Sequence, residues 1–268
     1  MSIENQHESG RPAMPESATT ASFRAIDKHP EEIRFPLMEQ PAIGCLLAFI
    51  AGLLNAWSLA ATQTFATVQS GNVVSAGYYL VTANWPRFGQ AIISVLFFGV
   101  GSALCGVLIT SQWRHKRSFT APVLFILTGL LVALAALAYT DTMTPILVAW
   151  GISFVAGAQG NAFHKNHGML YGAVAVTFVV QAAFNYLAQA ALAKRGINND
   201  PNLRWSGLFF LILASFAAGG AVGVVTDLAF DGASILLAAL ITLGIGIASV
   251  QTLRRQGRAD PTPGGGFR

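Results

Sequence analysis

Four consecutive polar or small residues, Gln69, Ser70, Gly71 and Asn72, interrupt about forty residues that otherwise have the apolar character of a membrane interior. A serine or asparagine side chain can cap a helix that starts here, and a glycine can adopt backbone angles that other residues avoid. A helix N-terminus at membrane depth presents free N–H groups and the positive end of the helix dipole. The cluster therefore predicts a half-helix over residues 71–82 whose start can bind an anion or a polar solute.

Further polar side chains recur at helical spacing inside apolar stretches. The three sets that share a helix face are Asn72, Ser75 and Tyr79; Asn55, Ser58 and Thr62; and Thr177, Gln181, Asn185 and Gln189. We expect these faces to line one central cavity, with Gln159 and Asn161 near the midplane of the membrane. The candidate substrate-binding residues are therefore Asn55, Gln69, Ser70, Gly71, Asn72, Gln159, Asn161, Gln181 and Asn185. The alternative is that these neutral side chains hydrogen-bond between helices, at about 0.6 kcal/mol each on average.

Residues that could catalyse a reaction or bind a metal are poorly placed for it. Cys45 and Cys105 lie within apolar runs and have no His or Cys at ligand spacing. His164 and His167 flank Lys165 but lack a further ligand nearby. No apolar stretch carries a serine with a histidine partner or a pair of aspartates. The sequence therefore predicts a protein that is not an enzyme and that has no metal site and no cofactor.

The distribution of charge identifies the class of protein. Only 10% of the 268 residues are charged, against about 25% in an ordinary soluble domain. Seven of the twelve acidic residues precede residue 40, and none lies between Ala42 and Thr140. A soluble fold cannot cover so long a stretch without acids, whereas a lipid-facing bundle can. The basic residues are scattered, so the expected partners are the lipid bilayer and a small polar solute rather than nucleic acid, and the oligomeric state stays open.

The apolar stretches predict an all-α, polytopic transmembrane bundle. A helix needs about 20 apolar residues to cross the hydrocarbon core. Six stretches qualify as full spans: Ala42–Ala61, Phe88–Thr110, Pro122–Tyr139, Thr144–Phe163, Gly207–Thr226 and Gly232–Val250. Gly71–Thr82 is too short and Met169–Leu192 is unusually polar, so both are predicted as partial or broken helices. The transmembrane domain covers residues 41–251, between disordered cytoplasmic segments at 1–40 and 252–268.

The positive-inside rule selects a topology for these spans. If both partial helices enter and leave the membrane on one side, only Arg87 of the sixteen basic residues lies outside. Both termini are then cytoplasmic, which fits a multi-pass protein of the cell (inner) membrane. The chain divides into two three-span units of opposite orientation, about 42–139 and 144–250, and such inverted repeats are common in secondary transporters. Two weak sequence echoes support the repeat, Asn55-Ala56-Trp57 with Asn161-Ala162-Phe163, and Phe98-Gly99-x-Gly101 with Ala218-Gly219-Gly220.

Two segments of the chain resemble the YoaK-type family of bacterial integral membrane proteins. The first runs through Ala51–Ala56, Phe65 and Gln69–Val74 with Gly77; the second runs through Gly157–Phe163 and Thr177–Val179. The family shows a Gly-x-x-Asp-Ala segment followed by Thr-Gly-Asn, but here Asn55 replaces the Asp and Val180-Gln181 replaces a second Thr-Gly pair. The resemblance covers about residues 42–250. It implies a membrane location and little chemistry, because the family is described as having unknown function.

Two functions are consistent with these residues. A transporter or channel-like protein for a small neutral or anionic solute would use the polar residues at the helix breaks. We expect no buried Asp or Glu, which disfavours a proton relay built on carboxylates. The alternative is a non-transporting membrane scaffold or sensor that acts through its basic cytoplasmic loops and its tails.

Overall fold

The computed structural model describes residues 36–115, 117–163, 165–166, 169–170, 176–193, 201–256 and 260. These residues form eight α-helices, which are α1 (Pro41–Thr62), α2 (Gln69–Val81), α3 (Trp85–Arg114), α4 (Thr120–Tyr139), α5 (Pro145–Ala162), α6 (Val176–Leu192), α7 (Asn202–Asp227) and α8 (Ala233–Gln256). A short 3-10 helix, Leu37–Glu39, precedes α1. Two antiparallel two-residue strands, β1 (Lys165–Asn166) and β2 (Met169–Leu170), follow α5. The predicted all-α class is confirmed.

The six predicted spans correspond to α1, α3, α4, α5, α7 and α8. Within the described part of the chain, five of these helices are long and apolar enough to cross a bilayer, and α5 is the exception. Its 18 residues extend about 27 Å, and its last turn contains the polar residues Gln159 and Asn161. By the composition of its helices, the chain is a multi-pass membrane protein.

Several helix boundaries differ from those predicted from hydropathy. The helix expected over 88–110 is longer, because the Asn84 side chain caps α3 by accepting the Arg87 N–H (3.3 Å) and Pro86 fits its first turn. Of the partial helix predicted over Met169–Leu192, α6 covers Val176–Leu192, whereas Met169 and Leu170 pair with β1 in extended conformation.

The carboxyl end of the chain contributes more structure than predicted. α8 continues past Val250 to Gln256, so residues 252–256 of the predicted tail are helical. Asp260 caps α4 through its Oδ1 atom, which accepts four hydrogen bonds, from Ser118 Oγ (2.6 Å), Thr120 Oγ1 (2.7 Å), Thr120 N (3.0 Å) and Phe119 N (3.2 Å).

Within the segment 1–40, which was predicted to be disordered, Leu37–Glu39 forms a 3-10 helix in which Glu39 is buried, so the expectation of no buried acid is wrong. The disorder predicted for residues 1–35, 257–259 and 261–268 concerns residues outside the described ranges.

The centre of the bundle is formed by α1 and α5, which run antiparallel. Thr62 at the end of α1 and Thr144 before α5 line one recess, while Gln159 near the end of α5 donates to the carbonyl oxygen of Leu47 (3.5 Å). Two thirds of the apolar window of α1 is buried, against 17% for α3 and 22% for α7. α3 and α7 therefore present most of their surface to lipid, as membrane helices at the edge of a bundle do.

Two helix pairs cross at backbone contact, α1 with α7 and α3 with α5. Each of the four helices carries a Phe-x-x-Gly motif at the crossing, and the motifs occupy residues 49–52, 98–101, 154–157 and 216–219. A Cβ atom on any of these glycines would overlap the carbonyl oxygen of the partner helix's motif phenylalanine. Small residues at such crossings allow the backbones to approach closely, which stabilises helix packing in lipid. The same arrangement thus occurs twice, once in each helix pair.

Candidate functional site

The chain folds back directly after α1 ends. Gln63 adopts a left-handed backbone conformation (φ 54°), a common way of ending a helix. Arg87 near the start of α3 donates to the carbonyl oxygen of Thr62 (2.9 Å) and to Oε1 of Gln63 (3.4 Å). The end of α1 and the start of α3 therefore lie at one level of the bundle. Consequently, the residues between them leave and return on the same side.

The polar stripe predicted on α1 binds the returning segment, residues 63–68. Asn55 Oδ1 accepts the N–H of Thr67 (3.2 Å), and Ser58 Oγ accepts the N–H of Ala66 (3.1 Å). Non-helical backbone at membrane depth needs such partners because lipid supplies none. The stripe therefore has a structural task, and the Asn55 amide oxygen is already engaged by the protein.

α2 starts at this depth, at Gln69, and its thirteen residues lead back to the start of α3. Val68 occupies the N-cap position and no side chain caps the helix. The predicted capping role of Ser70 or Asn72 is therefore wrong, because the helix begins earlier and includes both residues. The half-helix itself lies where the sequence predicted it.

Gly71 is needed for space and not for backbone freedom. It lies within α2 and does not have a positive φ. A Cβ atom at this position would lie 2.8 Å from the nearest ring carbon of Phe65. The Phe65 ring therefore packs directly on Gly71. This contact joins the returning segment to the first turn of α2.

Asn72 is the centre of a buried hydrogen-bond network that joins α2, α3 and α5. Its Nδ2 atom donates to the carbonyl oxygen of Phe65 (2.6 Å), to Gln69 Oε1 (2.8 Å) and to Ser94 Oγ (3.0 Å), and its Oδ1 atom accepts from Phe65 N (3.3 Å). Ser94 Oγ is hydrogen-bonded to Ser153 Oγ (2.9 Å) on α5. Both polar atoms of Asn72 thus have partners within the protein, and only 2% of the residue is exposed. This geometry holds the half-helix in place, and its burial makes Asn72 inaccessible to a solute in this conformation.

Gln159 and Asn161 lie apart from this network. They follow Ser153 by six and eight residues on α5, about 9 and 12 Å along the helix axis. Gln159 is buried and joins α5 to the Leu47 carbonyl of α1. Asn161 lies against α3, where its Nδ2 atom would be 3.6 Å from a Cβ atom on Gly106. Both residues thus connect the central helices to their neighbours.

The polar stripe on α6 faces away from the rest of the bundle. Gln181 and Asn185 are exposed, whereas Ala182 and Ala183 are buried, and the Ala183 carbonyl accepts from Ser206 Oγ of α7 (2.9 Å). The small residues of α6 pack on α7, so the amides one turn apart must lie on the opposite face. The prediction that all three polar stripes line one cavity is therefore wrong.

The structure contains a recess that the sequence did not predict, at the end of α1. Its volume is about 310 Å³, and it is lined by Ala61, Thr62, Arg87, Gln90, Thr144, Pro145 and Ile146. We call it the Arg87 recess. Arg87 is half-buried there and also donates to Gln90 Oε1 (3.3 Å). The signal in the sequence was that Arg87 is the one basic residue predicted to lie outside by the positive-inside rule.

A second recess lies at the opposite end of α1. Its volume is about 180 Å³, and it is lined by Pro41, Arg204, Trp205 and Leu208. We call it the Arg204 recess. Because α1 has 22 residues, the two recesses are separated by about 33 Å along the helix. None of the residues predicted as substrate-binding, all of which lie in the described ranges, lines either recess.

Comparison with known proteins gives a family and no characterised relative. Residues 43–248 match the sequence profile described as "Protein of unknown function (DUF1275)". No curated protein and no solved structure matches the chain. The matched region begins inside α1 and ends inside α8, so it includes nearly all of the helical bundle.

Proposed function

We propose that this chain, which belongs to the DUF1275 family of proteins of unknown function, is a transporter or channel-like protein for a small polar solute. The observation that carries the proposal is the pair of recesses, which lie at opposite ends of the central helix α1. A protein that passes a solute across a membrane needs an opening towards each side. The YoaK-type name, the inner-membrane location and the absence of enzyme activity belong to the same proposal.

The two recesses would be related by an inverted repeat of α1–α4 and α5–α8. The pattern of helix packing supports this relation. α1 packs most extensively on α7 and α3 on α5; α2 packs on α3 and α6 on α7; α1 packs on α8 and α4 on α5. Exchanging α1 with α5, α2 with α6, α3 with α7 and α4 with α8 reproduces these pairs, whereas the smaller contact between α7 and α8 has no counterpart of similar size between α3 and α4. The antiparallel course of α1 and α5 agrees with units of opposite orientation.

The Phe-x-x-Gly motifs give the register of the proposed repeat. They align Phe49 with Phe154 and Phe98 with Phe216, and their glycines make the same contact in each unit. In this alignment the residue equivalent to Asn55 is Gly160 and not Asn161. The sequence match of Asn55-Ala56-Trp57 with Asn161-Ala162-Phe163 therefore differs from this alignment by one residue.

The recesses correspond in part under the same exchange, because no residue from the end of α5 lines the second recess. One is bounded by the end of α1 and the starts of α3 and α5; the other is bounded by the starts of α7 and α1. Each contains an arginine in the first turn of a long apolar helix, Arg87 in α3 and Arg204 in α7, although the motif register aligns Arg87 with Trp205. With cytoplasmic termini, the Arg87 recess opens outwards and the Arg204 recess opens inwards. The tight crossings of α1 with α7 and of α3 with α5 would separate them in this conformation.

The proposal is tested by solute flux through purified protein in sealed lipid vesicles. We expect vesicles that contain the protein to re-swell several-fold faster than empty vesicles after an osmotic step with urea or glycerol. In a chain with Cys45→Ser and Cys105→Ser, we expect modification of Ala61→Cys by a bulky maleimide to remove most of this flux. The reason is that Ala61 lines the Arg87 recess.

The matched control for the modification of Ala61→Cys is Thr82→Cys. Thr82 is exposed at the same end of the bundle and does not line the recess. Its modification should leave flux unchanged. If no solute passes through the unmodified protein, or if both modified variants conduct equally, transport through this recess is excluded, and the scaffold or sensor function becomes the better account.

A further inference from the structure

The Arg87 recess holds a cation that neighbouring protein groups do not neutralise within the described ranges. The described partners of its guanidinium are neutral oxygens, namely the Thr62 carbonyl and the side-chain amides of Gln63 and Gln90. An arginine at the rim of a membrane bundle can extend its charged group towards the interface, so its charge does not require an acidic partner in the protein. The Thr62 carbonyl, which lies at the negative end of α1, stabilises the charge of Arg87.

The guanidinium also retains hydrogen-bonding capacity. Arg87 has five N–H donors, and its three described side-chain bonds leave two of them for a ligand. The Gln90 amide and Thr144 also line the recess and are polar. Among the described residues, no carboxylate lines it. Asp141, the nearest acid before Thr144 in the sequence, is exposed and does not line the recess.

The Arg204 recess repeats this chemistry at the other end of the bundle. Arg204 is exposed there beside Trp205, Leu208 and Pro41, and no acid in the described part of the chain lines the recess. A cation at each opening attracts anions and repels cations, because the field of a charge in a cleft with apolar walls is focused. Charge of one sign at both openings is the arrangement expected for an ion-selective path.

We infer that both recesses bind small oxyanions, such as monovalent carboxylates, and that Arg87 and Arg204 are the binding residues. The planar guanidinium matches the two oxygens of a carboxylate, and its remaining N–H groups can donate to them. This inference rests on the proposed function, since it names the class of solute that the path accepts. A phospholipid phosphate offers the same chemistry, so the test separates the two sources.

Binding can be measured without transport, from the thermal unfolding of the detergent-solubilised protein at constant ionic strength. We expect sodium formate, exchanged for sodium chloride, to raise the unfolding temperature by a few degrees in a saturable manner. Arg87→Gln and Arg204→Gln should each reduce this rise, and the double variant should remove it. Arg87→Lys should retain part of the rise, because it keeps the charge and loses the planar fork.

The matched control is Arg114→Gln, which removes an exposed arginine from the other end of α3 and should keep the full rise. An undiminished rise in the double variant would overturn the inference. A rise with phosphatidylglycerol but none with formate would assign the site to lipid headgroups and also overturn it. If glycerol passes through the protein but formate does not raise the unfolding temperature, the proposed transport function stands and the inferred anion binding is wrong.

Discussion

Gly101→Ala is expected to lower the thermal stability of the protein markedly. A methyl group at this position would overlap the carbonyl oxygen of Phe154, so the backbones of α3 and α5 must separate. Overpacking of this kind costs about 1–3 kcal/mol and occasionally more. The higher helix propensity of alanine recovers only about 1 kcal/mol. Thermal unfolding of the purified protein in detergent, followed by size-exclusion chromatography, measures the change.

Gly99→Ala is the matched control for that experiment. Gly99 lies two residues away in α3 and is exposed, and a methyl group added there would have no described neighbour within 4 Å beyond its own stretch of helix. The control should be as stable as the parent protein or slightly more stable, because only helix propensity changes. Equal behaviour of the two variants would show that the α3–α5 crossing is not in backbone contact.

Asn72→Ala is expected to reduce folded protein and any solute flux together. The substitution removes both polar atoms that bind Phe65, Gln69 and Ser94, in a region where lipid cannot replace them. Each buried group left without a partner costs about 1–3 kcal/mol. The folded fraction in membranes and the unfolding temperature in detergent are the measurements.

Ser70→Ala is the control for Asn72→Ala, because Ser70 lies on the same half-helix and is exposed. We expect it to be close to neutral. If Asn72→Ala instead abolished flux while the protein stayed fully folded, Asn72 would be a solute-binding residue, as its position in the polar cluster predicts. The network in which it lies would then have to open during transport.

The long helices and the half-helix α2 could be predicted because their signal is local. Runs of apolar residues define α1, α3, α4, α7 and α8, and the polar cluster from Gln69 to Asn72 correctly locates the start of α2. The roles of these polar residues could not be predicted, since they depend on partners far along the chain. Ser94 and Ser153, which complete the Asn72 network, are single hydroxyls in otherwise apolar stretches.

Burial on α6 shows a second limit of prediction from the sequence. A stripe of Gln181 and Asn185 looks like the lining of a cavity, but the opposite face contains Ala182 and Ala183, which pack more closely against α7. Helical periodicity gives the angle between two faces and does not say which face is inside. The side chains around the helix decide this through packing.

Gly99 and Gly101 also show that the sequence does not reveal which residues contact a partner helix. Gly99 and Gly101 have the same local sequence environment, yet only Gly101 touches the partner helix. Its place in a Phe-x-x-Gly motif that occurs in four helices is visible in the sequence. The role of the motif depends on the contact between each motif glycine and the phenylalanine carbonyl of the partner helix, which only the structure shows.

The central claim, that two recesses open on opposite sides of the membrane, is tested most directly by sided thiol labelling. Ala61→Cys and Leu208→Cys, each in the background without Cys45 and Cys105, are treated with a membrane-impermeant maleimide in right-side-out and in inverted vesicles. We predict that Ala61→Cys reacts in right-side-out vesicles and Leu208→Cys in inverted vesicles. Reaction of both residues from the same side would contradict the inverted repeat and the path proposed between its two recesses.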